Sequence, residues 1–156
     1  ALEQAEKALF AGEFPVGCIV AMQNRILVAS SRTGTKAGST NEIDHAEMVA
    51  LRRLTQLEKN TNTKTILYCT LEPCLMCLGA IILSGIDEVV YAYEDVMGGG
   101  TQCNLRQLSP LYTSTRISIV PNIVRSESLQ LFKTYFSNPA STYWKGSLLA
   151  KYTLSQ

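Results

Sequence analysis

Thr70-Leu71-Glu72-Pro73-Cys74-Leu75-Met76-Cys77 is the stretch on which the reading of this chain turns. It carries two thiols at Cys-x-x-Cys spacing, with Pro73 just before them and the apolar run Leu78 to Leu83 behind. Proline at the start and apolar residues after it predict the first turn of a helix, Cys74 to Ser84, closed by Gly85. Residues three apart on a helix share a face, so both sulfurs point the same way. Free N–H groups and the partial positive charge at a helix N-terminus favour thiolate over thiol. Two thiolates on one face are half of a tetrahedral zinc site. Immediately upstream, Thr65 to Thr70 predicts a buried strand, so the thiols stand where a strand hands over to a helix.

Working outward, the same alternation continues. Ala1 to Ala11 predicts a helix ended by Gly12. Val16 to Met22 and Ile26 to Ala29 predict a hairpin turning at Asn24-Arg25, and residues 30–43 a polar loop. A second helix starts at Asp44 and runs to about Glu58, followed by a polar loop from Lys59 to Lys64. Beyond the cysteine helix come a strand over Glu88 to Tyr93, a mobile loop at Gly98-Gly99-Gly100 and a fifth strand over Arg116 to Val120. Helices over Ser126 to Phe136 and Thr142 to Tyr152 finish the chain. An antiparallel pair followed by strands joined through helices predicts an α/β sandwich on a mixed sheet. Such sheets gather sites at strand C-termini and helix N-termini, where His45 and Cys74 both fall.

His45 is the only histidine, and a lone histidine is more often structural than a ligand. A lone Cys-x-x-Cys is likewise open between metal, redox pair and plain core. Together, His45, Cys74 and Cys77 make three protein ligands with one tetrahedral position left, the catalytic rather than the structural zinc pattern. Cys69 or Cys103 as a fourth ligand would close the site and make it structural. Glu47 also has two readings. Asp44-His45-Ala46-Glu47 matches a capping box, in which Glu47 only caps the helix. Positions 45 and 47 also lie about 200° apart on an ideal helix, which does not aim both inward. Chemically, a water activated by a metal needs a base to take its proton and an acid to deliver it to a leaving amine. One carboxylate beside the metal does both.

The chain's 156 residues allow one domain, 1–156, with a full-sized core. Hydrophobic residues are 46% and charged residues 17%, which excludes a disordered chain. No apolar run approaches the ~20 residues needed to cross a bilayer, and no signal pattern opens the chain, so a cytoplasmic protein is expected. A net charge of +1 excludes a domain that holds nucleic acid by bulk charge alone. Five cysteines, an odd count, argue against a secreted disulfide framework, and Cys18 and Cys69 fall in predicted buried strands.

His45-Ala46-Glu47 followed by Pro73-Cys74-Leu75-Met76-Cys77 resembles the signature of the zinc nucleobase deaminases of the cytidine/deoxycytidylate deaminase superfamily. The resemblance runs from Phe14-Pro15-Val16-Gly17 to about Gly100. In detail it is similar to the branch that holds tRNA adenosine deaminases, guanine deaminases and cytosine deaminases. It implies a three-layer αβα sandwich with a five-stranded mixed sheet, usually as a homodimer. It implies Zn2+ held by His45, Cys74 and Cys77, and proton shuttling by Glu47 as water attacks the amino-bearing ring carbon and ammonia leaves. It implies Phe14 against the base, and Glu94 and Asp95 in the loop that closes over the target nucleotide. Two departures bear on the substrate. Ser31 stands where many relatives carry an asparagine that reads the base, and a hydroxyl lacks the amide's paired donor and acceptor. The tail Tyr143-Trp144-Lys145-Gly146 is aromatic where the tRNA enzymes are basic, and is expected to pack in the core or a dimer. The motif pattern puts adenosine-to-inosine conversion in a tRNA anticodon loop first. A free base or nucleoside (cytosine, cytidine or guanine) comes second, and a non-catalytic zinc protein is the distant alternative.

Overall fold

The computed structural model describes residues 1–36, 41–57 and 63–156. The second helix stops at Leu54, with Thr55 as its C-cap, short of the expected end at Glu58; Glu58 itself and most of the Lys59 to Lys64 loop lie outside the described residues. Helix α1 covers Leu2–Phe10, and strands β1 (Gly17–Met22) and β2 (Arg25–Ser31) form the hairpin. Its turn sits one residue earlier than expected, on Gln23 and Asn24, which both have positive φ. Two successive left-handed residues are what a two-residue turn matched to strand twist requires. Helix α2 (Ala46–Leu54), β3 (Thr65–Leu71), α3 (Leu75–Leu83) and β4 (Glu88–Tyr93) follow. After β4 come a 3-10 turn at Leu105–Gln107 and a one-turn helix α4 (Pro110–Thr113), neither expected from the sequence. Strand β5 is only Ser118–Val120, and α5 (Arg125–Ser137) and α6 (Leu148–Ser155) complete the chain.

The five strands lie in the order β2-β1-β3-β4-β5. β1 is antiparallel to β2 and β3, whereas β3–β4 and β4–β5 are parallel. This is the mixed sheet the sequence predicts, with α2 packed on α3 on one side and α1, α5 and α6 forming the second helical group. Gly17 makes the close approach of α1 possible, because a Cβ there would overlap Ala1 O and lie 2.5 Å from Ala5 N. Val20, Leu67, Val89, Leu54 and Ile81 are at most 1% exposed and form the apolar centre. Cys18 and Cys69 face each other across β1 and β3 as small buried residues, and burial pushes both thiols well above the ordinary range. No helix among the described residues is long and apolar enough to cross a membrane.

Candidate metal and deaminase site

His45 and Cys74 reach one point because both are helix N-caps beside the C-terminal ends of strands. His45 caps α2 with φ −58° and ψ 153°, outside the helical region. The 200° objection therefore does not apply: His45 is not yet on the helix, while Glu47 is in its first turn. The capping box is absent too, since α2 has no side-chain cap and its cap residue is His45 rather than Asp44. Asp44 instead receives Asn41 Nδ2 at 2.7 Å and pairs with Arg52. Asn41 Oδ1 also accepts the Ile43 and Asp44 amides, each at 3.0 Å, and so shapes the approach to His45. Ser30 Oγ donates to Ala46 O at 2.6 Å and pins the start of α2 to β2. On the other side Cys74 caps α3, and Cys77 lies in its first turn, fully buried.

The Nδ1 atom of His45 lies 3.6 Å from Cys74 Sγ and 3.5 Å from Cys77 Sγ. Bonds of about 2.3 Å to sulfur and about 2.0 Å to nitrogen at the tetrahedral angle put nitrogen and sulfur about 3.5–3.6 Å apart. The two nitrogen–sulfur edges therefore already match those of a tetrahedral zinc site, and all three ligand atoms lie within 4.8 Å of one another. Among the described residues this is the one metal-competent group, and neither Cys69 nor Cys103 belongs to it. The closed, four-ligand alternative has no support in this geometry. The thiols are differentiated: hydrogen bonding from Cys77, then from His45, outweighs burial and holds Cys74 at about 4. The same hydrogen bond and burial push Cys77 far up. The Cys74 hydrogen bond raises His45. Glu47 is 3% exposed, and its burial raises its carboxyl above the ordinary range.

A cavity of about 30 Å³ adjoins these groups, walled by Phe14, Arg32, His45, Glu47, Cys74 and Asp95, with Leu71, Glu72, Tyr143 and Trp144 among the rest. Phe14 lines this cavity, its ring edge-on to Tyr143 at 5.3 Å and Trp144 at 5.4 Å. Asp95 also faces the cavity, while its Oδ1 accepts the Met97 and Gly98 amides at 3.0 and 2.9 Å. Glu94 does not line it. Neighbours in an extended segment point to opposite sides, so Glu94 and Asp95 cannot both face inward. Glu94 instead binds the Arg125 guanidinium, with Arg125 Nε at 2.8 Å, and accepts the Tyr152 hydroxyl at 2.7 Å. Burial works to raise its carboxyl, but these bonds prevail and bring it to about 2. Ser31, likewise, is not part of the wall, and its neighbour Arg32 is.

Glu72, Arg32, Tyr143 and Trp144 were not picked out as site residues from the sequence. Glu72 ties the ends of β3 and β4 to the glycine loop: Oε2 accepts Asp95 N at 3.1 Å, and Oε1 accepts Thr101 N at 3.2 Å and the Thr101 hydroxyl. The glycine loop is a buttress of the site. Gly99 bridges to Cys74, and Gly100 N donates to Pro73 O at 2.8 Å. The tail packs in the core as expected, with Tyr143 8% exposed, and also closes the cavity.

Residues 1–93 match the family model described as the cytidine and deoxycytidylate deaminase zinc-binding region. A tRNA-specific adenosine deaminase of Rickettsia felis is 34% identical over 139 residues, covering 87% of this chain and 95% of the relative. A solved structure from a study of A-to-I editing by tRNA deaminases at the wobble position superposes with a TM-score of 0.63 at 25% identity, covering 84% of this chain and 94% of that one. A guanine deaminase of Nitrosomonas europaea shares the fold, with a TM-score of 0.65 at 18% identity over 86% of this chain and 79% of its own. The tetrahedral spacing of one imidazole and two sulfurs, the buried carboxyl beside them and the sequence match agree: the chain belongs to the cytidine and deoxycytidylate deaminase family of zinc-dependent enzymes.

Proposed function

We propose that this chain, as a single domain over residues 1–156, converts adenosine to inosine in a transfer RNA, the target base entering the cavity between Phe14 and Glu47. The observation that carries the chemistry is the 3.5 and 3.6 Å spacing of His45 Nδ1 from the two sulfurs beside a buried carboxyl. His45, Cys74 and Cys77 would hold the zinc, which supplies Lewis-acid activation of water. Glu47 takes the proton from that water and delivers it to the leaving amino group. Its raised carboxyl pKa suits the double role, because an acid–base group works best when its pKa lies near the working pH. Phe14 gives the base an apolar edge, and Asp95 offers an acceptor at the cavity wall.

The substrate assignment is supported by the tRNA-specific adenosine deaminase of Rickettsia felis at 34% identity over nearly its whole length. Tyr143 and Trp144 complete the wall of this cavity. Leu75 and Leu83, 62% and 65% exposed on α3, supply an apolar strip for a homodimer. Cytoplasmic residence is compatible with a tRNA substrate and is part of this proposal. The test is product analysis on an anticodon stem-loop, alongside ammonia release from guanine, cytosine and their nucleosides. Inosine in the stem-loop with no release from free bases is expected. Release only from a free base refutes the tRNA reading.

A further inference from the structure

Arg32 is the one cation in the cavity wall, and it is 2% exposed. Its Nη1 is fully committed, donating to Thr33 O at 2.8 Å and Asp44 O at 3.0 Å. Among the described residues its Nη2 makes no hydrogen bond. The nearest carboxylate oxygen, Glu42 Oε2, is 3.6 Å away, within ion-pair range but beyond hydrogen-bond length. That oxygen already accepts the Tyr143 hydroxyl at 2.7 Å. The Tyr143 ring lies 5.8 Å from the guanidinium carbon. Buried donors in folded proteins are almost always hydrogen-bonded, so one held only by a long ion pair at a ligand cavity needs an explanation. Its fixed neighbour Nη1 and the two carbonyls hold the fork rigidly, which is the condition for selective recognition.

We infer that Arg32 reads the substrate base: Nη2 donates to a ring acceptor of the nucleobase held against Phe14. The inference rests on the deaminase reading above and extends it to specificity. A guanidinium has donors and no acceptor, so it selects a ring nitrogen or carbonyl oxygen and nothing else. The base is favoured over the sugar-phosphate chain because Arg32 is 2% exposed and lines the cavity that also holds Glu47.

The test is a double-mutant cycle on the stem-loop substrate. Wild type and Arg32→Met are compared on adenosine, 3-deazaadenosine and 7-deazaadenosine at the target position. A hydrogen bond from a charged donor corresponds to about a 10–100-fold effect on kcat/KM. Wild type is expected to lose that factor on one deaza substrate. Arg32→Met is expected to lose it on adenosine already, with no further loss on that deaza substrate. Equal loss on all three substrates, with no coupling, overturns the inference. So does coupling to a methylphosphonate on the 5′ side of the target in place of a deaza base. Should the Met variant not fold, Arg32→Lys keeps the charge and a donor: raised KM with little change in kcat and weakened deaza discrimination is expected, and unchanged discrimination overturns it. Wild type inactive on every stem-loop but active on a free base refutes the tRNA reading alone, and the cycle is then read on that base and its deaza forms.

Discussion

Gly100→Ala is expected to damage the metal site from behind, without touching a ligand side chain. A Cβ at Gly100 would stand 2.6 Å from Leu75 N and 2.8 Å from both Cys74 C and Leu75 Cα. These are backbone atoms at the start of α3, so no rotamer can yield. Relief requires the loop or the helix start to move by roughly half an ångström or more, and Cys74 moves with the helix. Overpacking of this kind costs about 1–3 kcal/mol. For a domain of this size a cost of about 2 kcal/mol lowers Tm by roughly 4–8 °C. Zinc bonds tolerate only about ±0.2 Å, so zinc affinity should fall about 10–100-fold, the range seen when residues supporting a metal ligand are lost. The assay pairs thermal unfolding with zinc competition against a chromophoric chelator. Gly79→Ala is the control, because a Cβ there meets nothing within 4 Å and lies in the same helix. The position lies between Leu75 and Leu83 on their face of α3, so the control is read in zinc affinity, which should stay at the wild-type value. Wild-type zinc affinity in Gly100→Ala, or an equal fall in Gly79→Ala, refutes the reasoning.

Glu94 carries a pH signature. Its folded pKa of about 2 is below the ordinary 4.5, so its contribution is present above pH 4.5 and is lost as pH falls through 2. With both partners partly exposed, the contribution is about 1–2 kcal/mol after screening. Urea unfolding should show Glu94→Gln less stable than wild type by that amount at pH 7 and lose over half of the gap by pH 3; a constant gap would contradict the ion-pair account. In metal-free protein at pH 6, Cys74, held at about 4, should alkylate well before buried Cys77, and zinc should protect both. Alkylation unaffected by zinc would show that Cys74 does not bind it. Ser30→Ala removes the 2.6 Å bond to Ala46 O, and should cost about 1–2 kcal/mol in denaturant unfolding and raise the zinc dissociation constant. Loss of stability alone, with zinc affinity intact, would separate Ser30 from the site.

The mixed character of the sheet and the ligand set were legible because they rest on local signals. Alternating strand and helix patterns mark the elements, and a histidine and two cysteines at helix starts mark the site. The 200° between positions 45 and 47 misled because it assumed both were helical, whereas His45 is a cap. Glu94 and Ser31 stand outside the cavity wall while their neighbours Asp95 and Arg32 line it, and motif position alone does not separate such adjacent residues. The glycine loop was legible as a breaker, but what it serves, the backbone of Cys74 and Leu75, is far away in sequence. Tyr143 and Trp144 fall in the stretch expected to open the last helix, Thr142 to Tyr152, but α6 begins only at Leu148 and they lie in an irregular turn, with Trp144 at φ 55°; only the tertiary packing brings them to Phe14.

X-ray absorption at the zinc edge tests the central claim most directly. The account predicts one equivalent of zinc with two sulfurs at about 2.3 Å, one imidazole nitrogen at about 2.0 Å and one light atom from solvent. Loss of the imidazole signal in His45→Ala should accompany it. A third sulfur, from Cys69 or Cys103, would contradict the open site and with it the chemistry assigned to Glu47.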